Sequence, residues 1–330
     1  IAVGESAFDE FGNLWVVNSF SNQLLSVLKP DGLWSGFSFS GLESGTETTA
    51  KEISISPNGL IWVALPFDNH ILVYDNNKTV EDRSDDRAII LRQGEGAGNI
   101  PGIRGITMEF DLQGQLWIGT SDGVAVMFNP ENIFDASDKD FDRIIISDGE
   151  NNEILLQGTE IIDIKVDGAN RKWIATNSGV YLLSEDGKKQ ISHFTTENSP
   201  IYSDNILALA IDDQNGEVYI STGKGLISYR SDVIKGEESF SEFKVYPNPV
   251  RESYSGPIAI SGLIDNSIVK ITDINGQLVN ELTSEGGQAI WDGRNFNGNR
   301  VSTGVYLIFN SALNSEETLK THIGKILFIN

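Results

Sequence analysis

Apolar and polar residues alternate with a period of two in short runs along this chain, and the runs recur in a fixed phrase. An apolar run leads into a polar turn containing Gly or Asn, and a strand centred on a large aromatic residue follows. Alternation of this period predicts β-strands, whose successive side chains point to opposite faces. The phrase occurs five times before residue 230, with aromatic anchors at Trp15, Trp62, Trp117, Trp173 and Tyr219.

The anchors recur at a nearly constant separation. Successive anchors are 47, 55, 56 and 46 residues apart. A period near 50 is typical of radial or stacked β repeats. The turn before each anchor strand carries a residue that we expect at positive φ, as a tight hairpin requires. These residues are Gly12, Asn58, Gly114, Gly168 and Gly216.

Further strands follow each anchor. Three copies have a second turn, at Asp122–Gly123, Ser178–Gly179 and Lys224–Gly225, and the segments Arg87–Leu91 and Arg143–Ser147 predict fourth strands. Four short antiparallel strands per period predict the blade of a β-propeller. A large aromatic residue at one fixed position suits the packed interface between blades, so we interpret the anchors as structural.

The third copy, Asp111–Val124 with the letters DLQGQLWIGTSDGV, resembles the bacterial two-component regulator propeller repeat. The last copy departs from this pattern with Tyr219 in place of Trp, and the second has Asp68–Asn69 where the pattern has its second Gly. The resemblance implies an all-β fold, a β-propeller over residues 1–240 with five blades visible. Propellers of this family more often have seven blades. We therefore expect a part of a larger ring that lacks N-terminal blades, with a five-bladed ring as the alternative.

The repetition ends near Tyr229. Residues 231–244 are polar and Ser-rich, which predicts a linker. Alternating segments return after Tyr246–Pro249, whose two prolines exclude a central strand. We predict strands in 257–261, 267–274, 287–291, 304–310 and 324–329, with turns at 273–277 and 291–299. Residues 243–330 are thus predicted to form a small Ig-like β-sandwich.

This second segment resembles the C-terminal sorting domain of proteins exported by the type IX (Por) secretion system. The sorting-domain motif residues are Tyr246, Pro247, Asn248, Pro249, Trp291, Asp292, Gly293, Gly304, Tyr306, Gly324 and Lys325. Further matches fall at Val269–Ile271, Asp273, Gly276 and Val305.

The resemblance implies that an outer-membrane translocon recognises the domain as an address and that the chain is exported to the cell surface, associated with the outer membrane. A regulator-type propeller followed by such a domain resembles the PorZ family, whose members associate with the surface sortase and present anionic lipopolysaccharide to it. The implied partners are therefore the translocon, the sortase and lipopolysaccharide or another glycan.

Composition narrows the functional classes. The chain has no Cys, which excludes disulfides and cysteine-ligated metals, and no apolar run long enough to span a membrane as a helix. Residues 1–240 carry 17 Lys and Arg against 38 Asp and Glu, a net charge of −21, whereas residues 241–330 carry a net −2. An acidic surface repels phosphate backbones, which argues against nucleic-acid binding. We interpret the acidity mainly as solubility of an exposed surface.

Candidate sites for chemistry are weak. Carboxylates at Asp135, Asp138, Asp140 and Asp142 alternate as in a Ca²⁺ loop, but Lys139 interrupts them and the loop glycine is missing. The turn 292–299 resembles a Ca²⁺ loop superficially, and the Gly-rich segment 93–102 lacks the Lys and Ser or Thr of a phosphate loop. The charged segment 75–87 is interpreted as an excursion on the rim. We therefore predict no cofactor and no catalytic residues, with Ca²⁺ as the weaker alternative.

Three functions stay open on the sequence. The favoured one is a non-enzymatic assembly and binding component of type IX secretion at the cell surface. The second is the ligand-sensing periplasmic propeller of a hybrid two-component regulator, which the blades alone would favour. The third is a secreted glycan-binding or glycan-active propeller, such as a lyase or hydrolase, that only uses the sorting address.

Overall fold

The fold of the 330-residue chain was established as a computed structural model. It describes residues 2–40, 42, 49–147, 152–239, 242–313 and 319–329. These residues form β-strands joined by turns, with one 3₁₀ turn at Pro130–Asn132 and no α-helix within those ranges. The prediction of an all-β fold is confirmed.

Contacts divide the chain into two compact units. The first contains Ile1–Val166, Lys172–Leu209 and Ile220–Ile227, and the second contains Asp167–Arg171, Ala210–Tyr219 and Ser228–Asn330. The domain boundaries at residues 240 and 243 stay predictions, and residues 240 and 241 lie outside the described ranges.

Five blade sheets in the described ranges correspond to the five copies of the sequence phrase, and within each sheet the strands pair in chain order. The first has β1 (Ala2–Phe8), β2 (Leu14–Ser19), β3 (Leu25–Leu28) and β4 (Trp34–Phe37). The second has β5 (Ile53–Ile55), β6 (Ile61–Leu65), β7 (His70–Asp75) and β8 (Arg87–Leu91). The third has β9 (Thr107–Phe110), β10 (Leu116–Thr120) and β11 (Gly123–Met127), followed by the hairpin of β12 (Ile145–Ser147) and β13 (Asn152–Ile154). The fourth has β14 (Ile161–Val166), β15 (Lys172–Thr176), β16 (Gly179–Leu183) and β17 (Gln190–Phe194). The fifth has β18 (Ile206–Asp212), β19 (Glu217–Thr222) and β20 (Gly225–Arg230).

The first strands of the first four blades lie side by side: β1 contacts β5, β5 contacts β9, and β9 contacts β14. Sheets that meet through their first strands and pair outwards in chain order have the arrangement of propeller blades. The predicted propeller is therefore confirmed.

The tryptophan anchors fill the interfaces between blades. Trp15 packs into a core with residues of the second blade, Trp62 with residues of the third, and Trp117 with residues of the fourth. These three and Trp173 are at most 1% exposed, which confirms their structural interpretation. The fifth anchor differs, since Tyr219 is 39% exposed.

The predicted positive φ falls on the expected residue in three of the five turns. Gly12, Gly114 and Gly216 have φ of 78°, 77° and 67°. In the second copy the left-handed residue is Gly59 and not Asn58, and in the fourth it is Asn170 and not Gly168. In both copies it stands three residues after the first residue of the turn, whose carbonyl accepts its N–H. The hydrogen-bonded turn therefore fixes the position, and either Gly or Asn satisfies it.

The fourth strand is correctly predicted in the second blade and wrong in the third. Arg87–Leu91 is β8, which pairs with β7. Residues 145–147 instead pair with β13 in a separate hairpin, and the outer side of β11 carries an isolated bridge between Val126 and Asp142. Asp142, at the end of the loop 128–144, occupies the place beside Val126 of β11 that the fourth strand was expected to take.

A carboxylate at the first turn position accepts the tryptophan indole N–H in the first and third blades. Asp9 accepts hydrogen bonds from the amides of Phe11 and Asn13 and, at 2.9 Å, from the indole Nε1–H of Trp15. Asp111 makes the equivalent 3.0 Å bond with Trp117. In the second blade Ser56 stands at this position, and among the described residues the Trp62 indole N–H has no acceptor.

Asp111 also joins the third blade to the fourth. The ammonium of Lys172, which is completely buried, lies 3.0 Å from the Asp111 carboxylate and 2.6 Å from the Glu185 carbonyl oxygen. It also lies 4.7 Å from the centre of the Trp117 ring. A buried charge requires such a partner, because leaving it unpaired in the interior costs several kcal/mol.

The second unit contains a sandwich of two sheets. One has the order β21 (Lys244–Tyr246), β23 (Ile258–Ser261), β26 (Gln288–Trp291). The other has the order β22 (Val250–Arg251), β28 (Leu319–Ile329), β27 (Gly304–Leu313), β24 (Ile268–Thr272), β25 (Leu278–Thr283). Inward-facing residues of both sheets form one core, which confirms the predicted sandwich. The sequence prediction missed β25, whose alternation is obscured by Asn280 and Glu281.

The segment interpreted as a linker is held in place within the second unit. The amides of Ser231 and Lys235 donate to the carbonyls of Gly216 and Asp213, and Val233 is buried. Arg171 lies 3.0 Å from the Asp232 carboxylate. Polar composition predicts exposure, but here the polar groups are hydrogen-bonded to neighbouring turns.

The contacts of Asp111 predict unequal effects of two substitutions. Asp111→Ala should lower the free energy of unfolding by about 3–5 kcal/mol, because Lys172 is left buried without its carboxylate. Lys172→Met should cost less, because the carboxylate keeps the N–H donors of Gln113, Gln115 and Trp117. Urea unfolding followed by tryptophan fluorescence measures both changes.

The matched control is Asp9→Ala at the same turn position. Asp9 is hydrogen-bonded by the neutral donors of Phe11, Asn13 and Trp15, so its removal should cost only about 1–3 kcal/mol. Equal losses for Asp9→Ala and Asp111→Ala would contradict the role assigned to the ion pair between blades.

Candidate functional site

The segment Tyr246–Pro249 of the sorting-domain motif connects β21 to β22. The Asn248 side chain pairs with the backbone of β28: its Nδ2 donates to the Lys325 carbonyl at 3.0 Å, and its Oδ1 accepts the Leu327 N–H at 3.1 Å. Two prolines flank Asn248, and they have no N–H for a ladder. The side-chain amide of Asn248 therefore supplies both a donor and an acceptor, whereas the backbone of the flanking prolines supplies acceptors only.

Trp291, Asp292 and Gly293 build a turn over the core. Trp291 is fully buried, its ring centre lies 5.2 Å from that of Phe328, and its Nε1–H donates to the Arg294 carbonyl at 2.9 Å. Asp292 accepts the Arg294 N–H at 2.9 Å. The motif at this point closes the core and caps the turn that leaves it.

Tyr306 fixes the start of β27. Its ring centre lies 5.5 Å from that of Phe328, and its hydroxyl donates to the Ser302 carbonyl at 2.9 Å. Burial raises the pKa of Tyr306, which keeps the hydroxyl protonated as a donor. A tyrosine bonded to the backbone a few residues upstream is a known corner device of Ig-like sandwiches.

The two motif glycines have different surroundings. A Cβ on Gly324 would lie 2.5 Å from the ring of Phe243, which packs across β28 and against the core. A Cβ on Gly304 would meet nothing nearer than 4.0 Å. Close packing therefore requires glycine at position 324 and not at position 304.

Part of the motif has no role in packing. The Tyr246 side chain is 76% exposed, and Pro249, Asp292 and Lys325 are exposed as well. The structure thus separates motif residues that build the sandwich from residues that present a surface, and it brings Asn248 and Lys325 together at one edge.

The carboxylates considered for Ca²⁺ have other partners. Asp140 accepts the amide N–H groups of Gly96 and Gly98 at 2.7 and 2.9 Å, Asp138 caps the amide of Asp140, and Asp135 lies 3.7 Å from Arg87. In the described part of the chain, no group of three or more His, Asp or Glu side chains is arranged to hold a metal ion. Asp140 instead ties down the Gly-rich segment 93–102, which sequence reasoning treated separately.

The inner strands carry a second cluster of charges. Lys165 lies 3.0 Å from Glu109 and 3.3 Å from Asp163. Burial opposes the Lys165 charge, but these two carboxylates outweigh it and raise its pKa. Burial also raises the pKa of Glu109, against the effect of Lys165. The ammonium of Lys165 therefore pairs with carboxylates from its own strand and from the neighbouring blade.

No helical segment with the length and hydropathy needed to cross a bilayer occurs in the described ranges.

Comparison with known proteins shows which families and structures this chain resembles. Residues 244–324 match the secretion system C-terminal sorting domain family, a range that contains every sorting-domain motif residue except Lys325. The chain is 31% identical to PorZ of Porphyromonas gingivalis, described as an essential bacterial surface component of the type IX secretion system. The match covers 99% of this chain and has a TM-score of 0.64. The chain is similar to PorZ and carries a sorting domain at residues 244–324.

The PorZ-like chain spans 45% of the length of PorZ. A second solved structure, the extracellular domain of a putative hybrid two-component system from B. thetaiotaomicron, is 15% identical with a TM-score of 0.49, covering 99% of this chain and 44% of that one. Virginiamycin B lyase from Staphylococcus aureus is 13% identical with a TM-score of 0.41, covering 98% and 94%. Likeness at these levels carries no argument about function. No curated protein matches the sequence.

The different packing around Gly324 and Gly304 can be tested by substitution. Gly324→Ala should destabilise the sandwich by about 1–3 kcal/mol, because the added methyl group displaces the Phe243 ring. Gly304→Ala should leave stability within about 0.5 kcal/mol, as expected for a substitution with open space around it. Hydrogen exchange of the β27 and β28 amides in the full chain measures the local effect. Equal exchange in the two variants would contradict the packing assigned to Phe243.

Proposed function

We propose that this chain acts as a non-enzymatic cell-surface component of type IX secretion, exported by its own sorting domain. The observation that carries the proposal is the order of the parts: a regulator-type propeller leads directly into a sorting domain, and the likeness to PorZ extends over 99% of the chain. This assignment implies that the protein is exported and associated with the outer membrane.

The finer part of the proposal concerns partners. The sorting domain is recognised by the translocon, and the propeller assists the sortase in attaching cargo, binding both the sortase and an anionic lipopolysaccharide. Support comes from the family resemblance and from the general use of propellers as scaffolds whose loops bind ligands. Residues 1–240 carry a net charge of −21, which repels an anionic glycan. Binding of such a glycan therefore requires a local cluster of basic side chains.

Deletion of the gene in the source bacterium tests the assignment to secretion. Cargo proteins should then retain their sorting domains and fail to become anchored at the surface, and a plasmid copy of the gene should restore both steps. Immunoblots of cell-surface and culture fractions measure cargo size and location. Normal maturation and anchoring of cargo in the deletion strain would remove the proposal.

The exposed motif residues predict a separate defect in export. Tyr246→Ala and Lys325→Ala should reduce the amount of protein at the surface several-fold while leaving the urea midpoint unchanged, because both side chains are exposed. Protease accessibility on intact cells measures surface location.

Phe296→Ala is the matched control, since this aromatic residue is 63% exposed and lies outside the motif. Surface levels that fall equally in the Phe296 and Tyr246 variants would contradict recognition through the motif.

A further inference from the structure

A cavity of about 630 Å³ in the first unit is lined by arginines, although residues 1–240 carry a net charge of −21. Its walls are the end of β4 with residues 38–40, the connection from β7 to β8, and β8 itself. Arg83, Arg87 and Arg92 line it, which are three of the seven arginines in residues 1–240. The volume lies within the range of about 300–1,000 Å³ that is usual for small-ligand sites.

The three guanidinium groups are compensated to different degrees. Arg87 donates to Asp75 at 2.7 Å and lies 3.7 Å from Asp135, so its charge is largely neutralised. Arg83 lies 4.2 Å from the centre of the Phe37 ring and donates to the Gly36 carbonyl at 3.1 Å. Within the described ranges, neither Arg83 nor Arg92 forms an ion pair. Among the described residues, Arg83 and Arg92 therefore line the cavity without a salt bridge, and Asp86 is the carboxylate that lines it with them.

The floor of the cavity is aromatic. The ring centre of Tyr74 lies 5.4 Å from that of Phe37 and 5.1 Å from that of Phe39, and the last two residues line the cavity with Tyr74. Tyr74 and Phe37 are 2% and 3% exposed, so the half-buried Phe39 is the ring that can contact the C–H face of a sugar.

One carboxylate stands among these rings and cations. The Tyr74 hydroxyl donates to Asp86 Oδ2 at 2.5 Å, and burial followed by this hydrogen bond raises the pKa of Tyr74 far above its usual value. The hydroxyl therefore stays protonated and holds Asp86 at the cavity wall. A carboxylate held in a fixed position can accept hydrogen bonds from the hydroxyl groups of a ligand. An anion without hydroxyl groups cannot donate such a bond.

We propose that this cavity binds an acidic saccharide, a sugar unit that carries a phosphate or carboxylate group. Arg92 and Arg83 bind the anionic group, Phe39 contacts the sugar ring, and Asp86 accepts a hydrogen bond from a sugar hydroxyl. Guanidinium groups suit this task because their planar donors match phosphate and carboxylate oxygens. The proposal rests on the proposed glycan-binding function of the propeller and gives that function a place and a ligand class.

The test is calorimetric titration of the 330-residue chain with glucose 6-phosphate, glucuronic acid and glucose. The two acidic sugars should bind measurably, glucose should bind at least tenfold more weakly, and binding should weaken as salt is added, because partly exposed charges are screened. Inorganic phosphate should bind more weakly than glucose 6-phosphate. Equal affinity for glucose and glucose 6-phosphate, or no binding of either acidic sugar, would overturn the proposal.

Arg92→Gln should weaken binding of glucose 6-phosphate at least tenfold, and Arg83→Gln should act in the same direction. The matched control is Arg104→Gln, because Arg104 is an exposed arginine of the same unit that lines a different cavity. The urea midpoints should be the same in the three variants. A loss of binding in Arg104→Gln as large as that in Arg92→Gln would place the anion elsewhere and reject this cavity.

A parallel titration with anionic lipopolysaccharide, and with its polysaccharide freed of lipid, separates the site from the proposed function. Loss of both interactions in the Arg83→Gln, Arg92→Gln double variant supports the cavity as the glycan site. Retention of lipopolysaccharide binding in that variant rejects the cavity and leaves the proposed function standing. Binding of the acidic sugars without binding of lipopolysaccharide rejects that ligand in the proposed function and leaves the cavity standing.

Discussion

The propeller depends on a hydrogen-bonded turn that faces a buried tryptophan. A tryptophan fills the interface to the next blade, but its indole N–H must find an acceptor in an apolar environment. In two blades an aspartate at the start of the turn supplies that acceptor while it also caps two backbone amides. Turn geometry and blade packing are thus fixed by the same carboxylate. In the third blade the carboxylate takes on a third task, since it neutralises the ammonium of Lys172 from the neighbouring blade.

Much of this architecture was predictable because it is periodic. Aromatic anchors, turn residues and alternating strands repeat, and the repeat reveals the blade. Residues at which one copy departs from the repeat pattern were harder to assign to a structural role. Asn170 took the left-handed position because the turn counts residues from its first carbonyl, and the neighbouring Gly168 misled the prediction. Nothing in the sequence places Lys172 in the interior, and only the fold shows that Asp111 lies opposite it. The fourth strand expected in residues 143–147 pairs in a separate hairpin, and nothing in its own letters indicates that pairing.

The candidate sites show the same limit. Resemblance found the sorting-domain motif, but the sequence did not distinguish Gly324, which Phe243 requires, from Gly304, which has open space around it. Likewise, the charged segment 75–87 was interpreted as a rim excursion because its charges are mixed. In three dimensions Asp75 pairs with Arg87 and Glu81 with Lys29, while the Arg83 guanidinium lies over the Phe37 ring of the first blade. Sites assembled from different repeats leave no local signature in any one of them.

Asp140 accepts hydrogen bonds from two amides of the Gly-rich segment 93–102, and this clasp limits how the propeller can evolve. Arg92 directly precedes that segment, and its amide donates to the Ala97 carbonyl inside the loop that Asp140 holds. The aromatic floor comes from the first and second blades, the arginines from the second, and the clasp from the third. Duplication or exchange of a single blade would therefore separate the cavity from its support. Inheritance of this pocket requires three consecutive repeats to be copied as a block, even though the scaffold itself grows one repeat at a time.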